Sequence, residues 1–301
     1  MTVTIGKSYL EASARQRIKA ILDPGTFREI LPPNQKRCSP HLGMFNVPLE
    51  FDDGVVIGEG MLDGKPVSIL AQEGKFMGGA FGEVHSAKIT GLLKRSLRTK
   101  PAAVVCLWDS GGVRLQEANA GEIGVTEIIR AIFDLRAARI PVIGAVGGTC
   151  GCFGGAGIIS GCCDVLLSSE EARIGVSGPE VIETTMGVDA FDSRDKALVW
   201  RTTGGKNRYL FDFVKTLVEN TPDAFRKGII AEISQPSGLS LEQIEAKHVA
   251  LKKRLEDYSG MHDAVEIWAK MGFKNPERIP GMDVDELVRE AKQLAGGVKC
   301  N

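Results

Sequence analysis

The sequence predicts an α/β protein with a mostly parallel sheet, followed by a helical C-terminal third. Three observations predict it. Short runs that are apolar throughout (103–108, 141–146 and 164–168) alternate with stretches of helical period, the pattern of strands covered on both faces. Glycine is used 36 times against 12 Phe, 3 Trp and 3 Tyr, and glycines cluster where apolar runs end. Beyond Ser193 strand-like runs fade and helical signals take over.

Residues 8–31 read as a helical opening with Ile18, Ile21 and Leu22 as apolar positions and Pro24-Gly25 as the break. Residues 32–50 carry four prolines without a period and read as an arm. Val55-Val56-Ile57 and Val67-Ser68-Ile69-Leu70-Ala71 flank Asp63-Gly64, and Asp-Gly between two β-rich runs predicts a hairpin. A helix is expected over 84–97, a strand over 103–108, and a helix over 115–139 with Ile123, Ile128, Ile132 and Leu135 apolar. A second strand (141–146) runs into Gly147-Gly148, a glycine-rich helix covers 154–160, a third strand covers 164–168 and a short fourth 172–176. Ser240-Leu241-Glu242-Gln243 is a capping box opening a helix with Leu241, Ile244, Leu251 and Leu255 apolar. A last helix runs from Asp283 through Leu294 and stops at Gly296-Gly297. The chain thus divides into an N-terminal helix and arm (1–50), a core (51–210) and a helical extension (211–301) that packs on this chain or on a partner.

Formal charge is −1, from 37 Lys and Arg against 38 Asp and Glu, so no broad basic field exists to hold nucleic acid. No apolar run reaches the ~18 residues that span a bilayer. The N-terminus turns polar too soon for a signal peptide, so a cytoplasmic protein is expected. Seven cysteines, an odd number without a C-x-x-C pair, suggest neither a zinc ribbon nor a disulfide framework. They are expected as small buried side chains in a reducing compartment. His41, His248 and His262 lack metal-ligand spacing, and no metal is expected.

Chemistry is most plainly suggested by two glycine pairs, each where a buried strand meets a helix. Asp109-Ser110-Gly111-Gly112-Val113-Arg114 follows the strand ending at Trp108, and Gly151-Cys152-Phe153-Gly154-Gly155 follows the strand ending at Val146. Glycine lets an acyl group approach the main chain, and helix-terminal N–H groups point outward unpaired. Two such donors converging on one carbonyl oxygen would stabilise an enolate or tetrahedral oxyanion. The plainer alternative is that the glycines only permit tight helix–sheet packing. Neither pair is a phosphate loop or a nucleophile elbow. A third segment, Gly74-Lys75-Phe76-Met77-Gly78-Gly79-Ala80-Phe81-Gly82-Glu83, again puts flexible backbone before a helix and suits an anionic or carbonyl group.

FMGGAFGEVHSAKI (76–89), DSGGVRLQEA (109–118) and IGVSGPEVIE (174–183) resemble the carboxyltransferase branch of the crotonase superfamily. GGVRLQEAN, GCFGG, GPEVIE and FDSRDKALVWRTTGG are similar, within that branch, to the β subunits of biotin-independent malonate decarboxylases. The resemblance covers at least Gly54 to Gly205. The four-cysteine ribbon usual in bacterial acetyl-CoA carboxylase β subunits is missing, which favours the decarboxylases.

The resemblance implies a crotonase-like (ClpP/crotonase) ββα spiral with a helical C-terminal extension. It implies a carboxy-lyase that converts malonyl to acetyl thioester plus CO2 through an oxyanion-stabilised enolate. The substrate would ride on the phosphopantetheine-like, dephospho-CoA-derived arm of an acyl carrier protein, or on CoA, with no tightly bound cofactor. The implied partners are a related γ subunit that completes a heterodimer, the acyl carrier protein and its transferase subunit. Gly154 and Gly155 are the first choice for oxyanion donors; Gly111 and Gly112 are the second choice or else bind the carboxylate or CO2, with Gly78, Gly79, Ser110 and Arg114 as substrate-binding candidates. His85 could protonate the enolate but reads more readily as a packed helical histidine. Arg114 either sets register at a helix start or touches an anionic arm. Glu117 and Glu122 are five positions apart, do not share a helix face well, and read as structural. Lys206 and Arg208 could face phosphates but read as a solvated basic turn. Two other functions remain open: the β half of a biotin-dependent acyl-CoA carboxyltransferase, which uses the same enolate, and a non-catalytic crotonase-like scaffold.

Overall fold

The structure, a computed structural model, describes residues 7–234 and 238–297. Its centre is a seven-stranded sheet in which spatial order follows chain order: β1 (Arg28–Ile30), β2 (Val55–Leu62), β3 (Lys65–Gln72), β4 (Ala103–Trp108), β5 (Val142–Val146), β6 (Val165–Ser169) and β7 (Thr216–Val218). β2 and β3 form the expected antiparallel hairpin with Leu62 opposite Lys65. Asp63 and Gly64 take the two positive φ values (51° and 71°) that a tight hairpin turn of matching twist requires. From β3 onward every neighbour is parallel.

Strand alternation sorts side chains into two layers. Val104, Cys106 and Trp108 face α2 (Glu83–Thr99), α3 (Ala120–Ala137) and α4 (Gly155–Cys162), where Ile89, Leu93, Ile128, Ile132 and Ile159 close one core. Ala103, Val105 and Leu107 face the opposite way, against Ile18 and Ile21 of α1 (Ala14–Ile21) and Phe225 and Ile229 of α8 (Pro222–Glu232). α1 and α8, together with β7, are therefore part of the sheet's own packing although they lie outside residues 51–210.

Each parallel unit contains a second extended stretch after its main strand, reduced to single-residue bridges: Phe81 to Val113, Ser110 to Cys152 and Cys152 to Ile174, all parallel. Strand, bridge and helix repeat as a spiral, and this is the crotonase-like fold.

Several expected elements differ. The opening helix spans only Ala14–Ile21, and Arg28–Ile30 after the Pro24-Gly25 break is an edge strand. The helix expected over 115–139 is a short 3-10 turn (Leu115–Glu117) and then α3, separated by Ala118 at φ 49°. Residues 172–176 are no strand of the main sheet, because Ile174 belongs to the bridge ladder, and β7 takes that place.

After β6 the chain adds α5 (Pro179–Met186), α6 (Lys196–Thr203), α7 (Gly205–Leu210), α9 (Leu241–Asp257), α10 (Ala264–Lys270) and α11 (Val284–Gly297). Trp268, Phe273, Ile279, Met282 and Leu287 make a third core here. Lys206 fastens it to the sheet: its Nζ donates to Pro280 O at 2.9 Å and Met282 O at 2.6 Å and pairs with Glu170 at 2.6 Å. It is buried rather than a solvated basic turn or a phosphate ligand, and Arg208 likewise turns inward, its Nε donating to Ile174 O at 2.7 Å. The capping box of α9 forms as expected, with Ser240 Oγ accepting from Gln243 N–H and Gln243 Oε1 from Ser240 N–H. Its Leu241, Ile244, Leu251 and Leu255 are all exposed.

Candidate active site

The bridge ladder gathers the glycine-rich segments that the sequence singled out. Phe81 N–H donates to Gly112 O (2.8 Å) and Arg114 N–H to Phe81 O (2.9 Å), joining the first turn to the second. Ser110 N–H donates to Gly151 O (2.8 Å) and Phe153 N–H to Ser110 O (2.9 Å), joining the second to the third. The approach is close enough to demand glycine. At Gly79, φ is +65° and a Cβ would stand 1.8 Å from Asp109 O; at Gly154, φ is +57° and a Cβ would stand 3.3 Å from Gly112 Cα.

The main-chain donors divide sharply. Gly111 N–H donates to Gly78 O (2.8 Å), and Gly154 N–H donates to Val176 O (2.9 Å). Gly112 N–H donates to Ser110 Oγ (3.2 Å). Three of the four expected oxyanion donors are thus engaged in holding the turns together. Gly155 N–H, at the first position of α4, has no acceptor among the described residues, as the first turn of a helix leaves its donors free. Gly78 and Gly111 form an open lip beside it, since a Cβ at Gly78 would meet nothing within 4 Å and one at Gly111 only Gly78 O at 3.7 Å.

Ser110 and Arg114 do not face this lip. The Ser110 hydroxyl is buried and closes on Gly112 O and Gly112 N–H, pinning its own turn. Arg114 is fully buried: Nη1 donates to Asp53 Oδ2 and Nη2 to Asp53 O, both at 2.8 Å, with Glu117 Oε1 3.8 Å away. It sets register and is not placed to touch an anionic arm. Glu117 is buried too, accepting Glu83 N–H at 2.7 Å, whereas Glu122 is exposed.

Beneath the turns lies a buried polar layer that the sequence did not reveal. Asp109 accepts from Arg17 Nη1 of α1 (2.9 Å) and from Cys150 N–H (2.8 Å). Burial holds its carboxyl above the ordinary carboxylate range, and Arg17 offsets only part of that rise. Gln72 Oε1 accepts Asp109 N–H (3.0 Å), while its Nε2 reaches Gly79 O (3.2 Å) and His85 Nε2 (3.1 Å). His85 Nδ1 lies 3.0 Å from Asp53 O, so the ring is neutral with its proton on Nδ1. Burial, then Arg114, hold its pKa well below the ordinary histidine value. The packed reading of His85 is the one the structure supports; a fully enclosed neutral ring has no proton to give at the lip. Lys88 donates to Asp52 O and Val55 O, and burial lowers its pKa to about 8.

Of the cysteines, Cys106, Cys152 and Cys163 are buried as expected, while Cys38, Cys150 and Cys162 are half-buried. Cys300 lies outside the described residues. His41 pairs with Glu83 at 2.9 Å. Among the described residues no group of three or more His, Cys, Asp or Glu could hold a metal, and no helix is long and apolar enough to cross a membrane.

Residues 11–202 match the carboxyl transferase domain family. The chain belongs to that family. It is 38% identical over 312 residues to the malonyl-S-ACP:biotin-protein carboxyltransferase of Malonomonas rubra, covering 96% of each chain. It superposes on a subunit of the Pseudomonas malonate decarboxylase hetero-tetramer, solved with malonate, with a TM-score of 0.80 and 37% identity, over 86% of this carboxyl transferase chain and 95% of that one. Similarity to the acetyl-coenzyme A carboxylase carboxyl transferase subunit beta of Fusobacterium nucleatum is confined to 59% of this chain and 60% of the relative, at 34% identity over 191 residues. The resemblance to malonate decarboxylase subunits read from the motifs is borne out, and the Malonomonas relative matches nearly the whole chain where the carboxylase subunit matches little more than half.

Proposed function

We propose that this chain is the carboxyltransferase-type β subunit of a malonate decarboxylase, acting on malonyl carried by an acyl carrier protein. The observation that carries the reading is the stacked set of glycine turns in which, of the four candidate donors, Gly155 N–H at the start of α4 alone has no acceptor among the described residues. In the reaction the bond between the malonyl carboxylate carbon and Cα breaks. Its electron pair moves into the thioester, the oxygen gains negative charge, and CO2 leaves. Gly155 N–H, backed by the α4 dipole, faces that oxygen, and the lip of Gly78 and Gly111 leaves room for the acyl chain. Proton return to carbon then gives the acetyl thioester, from a donor other than His85. No tightly bound cofactor is needed, because the carrier's phosphopantetheine-like arm brings the substrate.

The exposed apolar residues around the site support a partner. Leu115 (85% exposed) and Ile123 (62%) follow the second turn along the chain, and Val176 (66%) and Met186 (63%) follow the third. Patches of this kind mark protein interfaces. A related γ subunit covering them would exclude water and complete the pocket, with the carrier protein and its transferase as further members of a cytoplasmic complex.

A second reading follows from the relative that transfers to a biotin protein: the same enolate forms, but the carboxyl group goes to biotin rather than leaving as free CO2. CO2 release from malonyl carrier protein by this chain with its partner subunit, with and without avidin, separates the two. Avidin-insensitive release with an acetyl product supports the decarboxylase; turnover only with a biotin protein moves the assignment to the transferase. No turnover in either assay, with the partner bound, leaves a scaffold.

A further inference from the structure

Gln72 closes β3 with no exposed surface and touches two of the three glycine turns at once. Its Oε1 accepts Asp109 N–H at 3.0 Å, at the root of the second turn. Its Nε2 donates to Gly79 O at 3.2 Å, in the first turn, and to His85 Nε2 at 3.1 Å. The His85 tautomer fits, because Nδ1 donates to Asp53 O at 3.0 Å and leaves Nε2 as an acceptor. Few side chains offer an acceptor at one atom and two hydrogens at the next. The two turns also meet directly through Gly111 N–H and Gly78 O at 2.8 Å, so the carboxamide sets the spacing at which that bond, and the lip, can form.

We propose that Gln72 is a positioning residue for this site: its carboxamide holds the Gly78-Gly79 turn and the Asp109–Gly112 turn at one fixed separation, and so fixes the lip beside Gly155 N–H. Its effect on catalysis rests on the decarboxylase reading; its effect on the turns does not.

Two variants test it, read in two ways. In Gln72→Leu, amide hydrogen exchange at Asp109 and Gly111 speeds up while amides within β4 and β5 stay protected. In the assembled enzyme kcat falls about 10–100-fold with KM nearly unchanged, the size expected of a misplaced site. Gln72→Glu keeps the acceptor and loses both hydrogens, setting a carboxylate against Gly79 O and the His85 Nε2 lone pair. The charged groups facing His85 are Asp53 from the loop before β2, Lys88 from α2, and Arg114, with Glu117 beyond it. Lowering the pH lets His85 take a proton at Nε2 and donate to the introduced carboxylate. The activity of Gln72→Glu relative to wild type therefore rises as pH falls.

Unchanged exchange at Asp109 and Gly111 in Gln72→Leu, or an unchanged kcat, overturns the proposal. If Gln72→Leu does not fold, Gln72→Glu decides alone, and a deficit equal at every pH overturns it. A wild-type complex inactive on malonyl thioesters refutes the reaction assigned above, while the exchange result still judges the role of Gln72.

Discussion

Gly111-Gly112 and Gly154-Gly155 look alike in sequence, each a glycine pair where a buried strand gives way to a helix, yet they are supported and used differently. The first pair rests on a charged layer in which Arg114 and Asp53 are both fully buried, with Lys88 and Glu117 beside them. Both of its N–H groups are engaged within the chain. The second pair rests on apolar packing, with Val125, Ala156 and Ile159 in the core below it. Only there does a donor remain free. The first pair thus builds the site's shape and the second presents its charge-stabilising group. Glycine content alone does not separate these tasks; hydrogen-bond partners do.

The charged support under the first pair should show the largest effect. Arg114→Met leaves Asp53 buried without its partner, and urea unfolding should register a loss of about 3–5 kcal/mol. A change below 1 kcal/mol would mean that the layer is dispensable. At the second pair, Gly155→Pro removes the free N–H at a helix position where proline is well accepted. Turnover of the assembled enzyme should drop ~10²–10³-fold with the circular dichroism spectrum preserved. Gly155→Ala is the control, because it keeps the N–H while meeting the same neighbour, Val125 Cγ2, 2.6 Å from the added Cβ. Equal losses in the two variants would show that crowding rather than a missing donor is responsible.

Gly111→Pro makes the complementary cut, deleting the N–H that holds Gly78 O. The cost should appear as stability, about 1–3 kcal/mol, whereas Gly111→Ala, whose Cβ makes only an ordinary contact with Gly78 O at 3.7 Å, should unfold like wild type. The smallest effect is a pH dependence. Lys88 titrates at about 8 in the fold against an ordinary 10.5. The unfolded chain therefore binds more protons above pH 8, and stability rises with pH in that window. Compared with Lys88→Met, wild type should gain about 1 kcal/mol between pH 8 and pH 9 in unfolding experiments. A flat difference would remove Lys88 from the charged layer.

Local chemistry made much of this legible. The hairpin was written in Asp63-Gly64, the central strands in their apolar runs, and α9 in its capping box. Short or non-local features were not. β7 has three residues, too few for a period, and Ile174 pairs through a single bridge, so a strand-like run was assigned to the wrong sheet. The glycine turns do come together in space, but their donors could not be sorted without knowing that Val176 and Gly78 supply acceptors. Gln72 and Asp53 escaped notice altogether. Their partners lie 37 and 61 residues away, at Asp109 and Arg114, and nothing in their immediate sequence announces a buried role. Leu241, Ile244, Leu251 and Leu255 showed a helical stripe, and among the described residues nothing covers it.

Arg17 reaches from the first helix to the carboxylate of Asp109, bridging 92 positions of sequence. The stretch before the first long strand is therefore no detachable leader as far as the site is concerned. Trimming the gene back to the hairpin for convenience of expression would take away β1 and the helix that covers one face of the sheet, and with them the arginine that holds the Asp109 turn. An affinity handle fused directly ahead of this helix would sit close to the same lever.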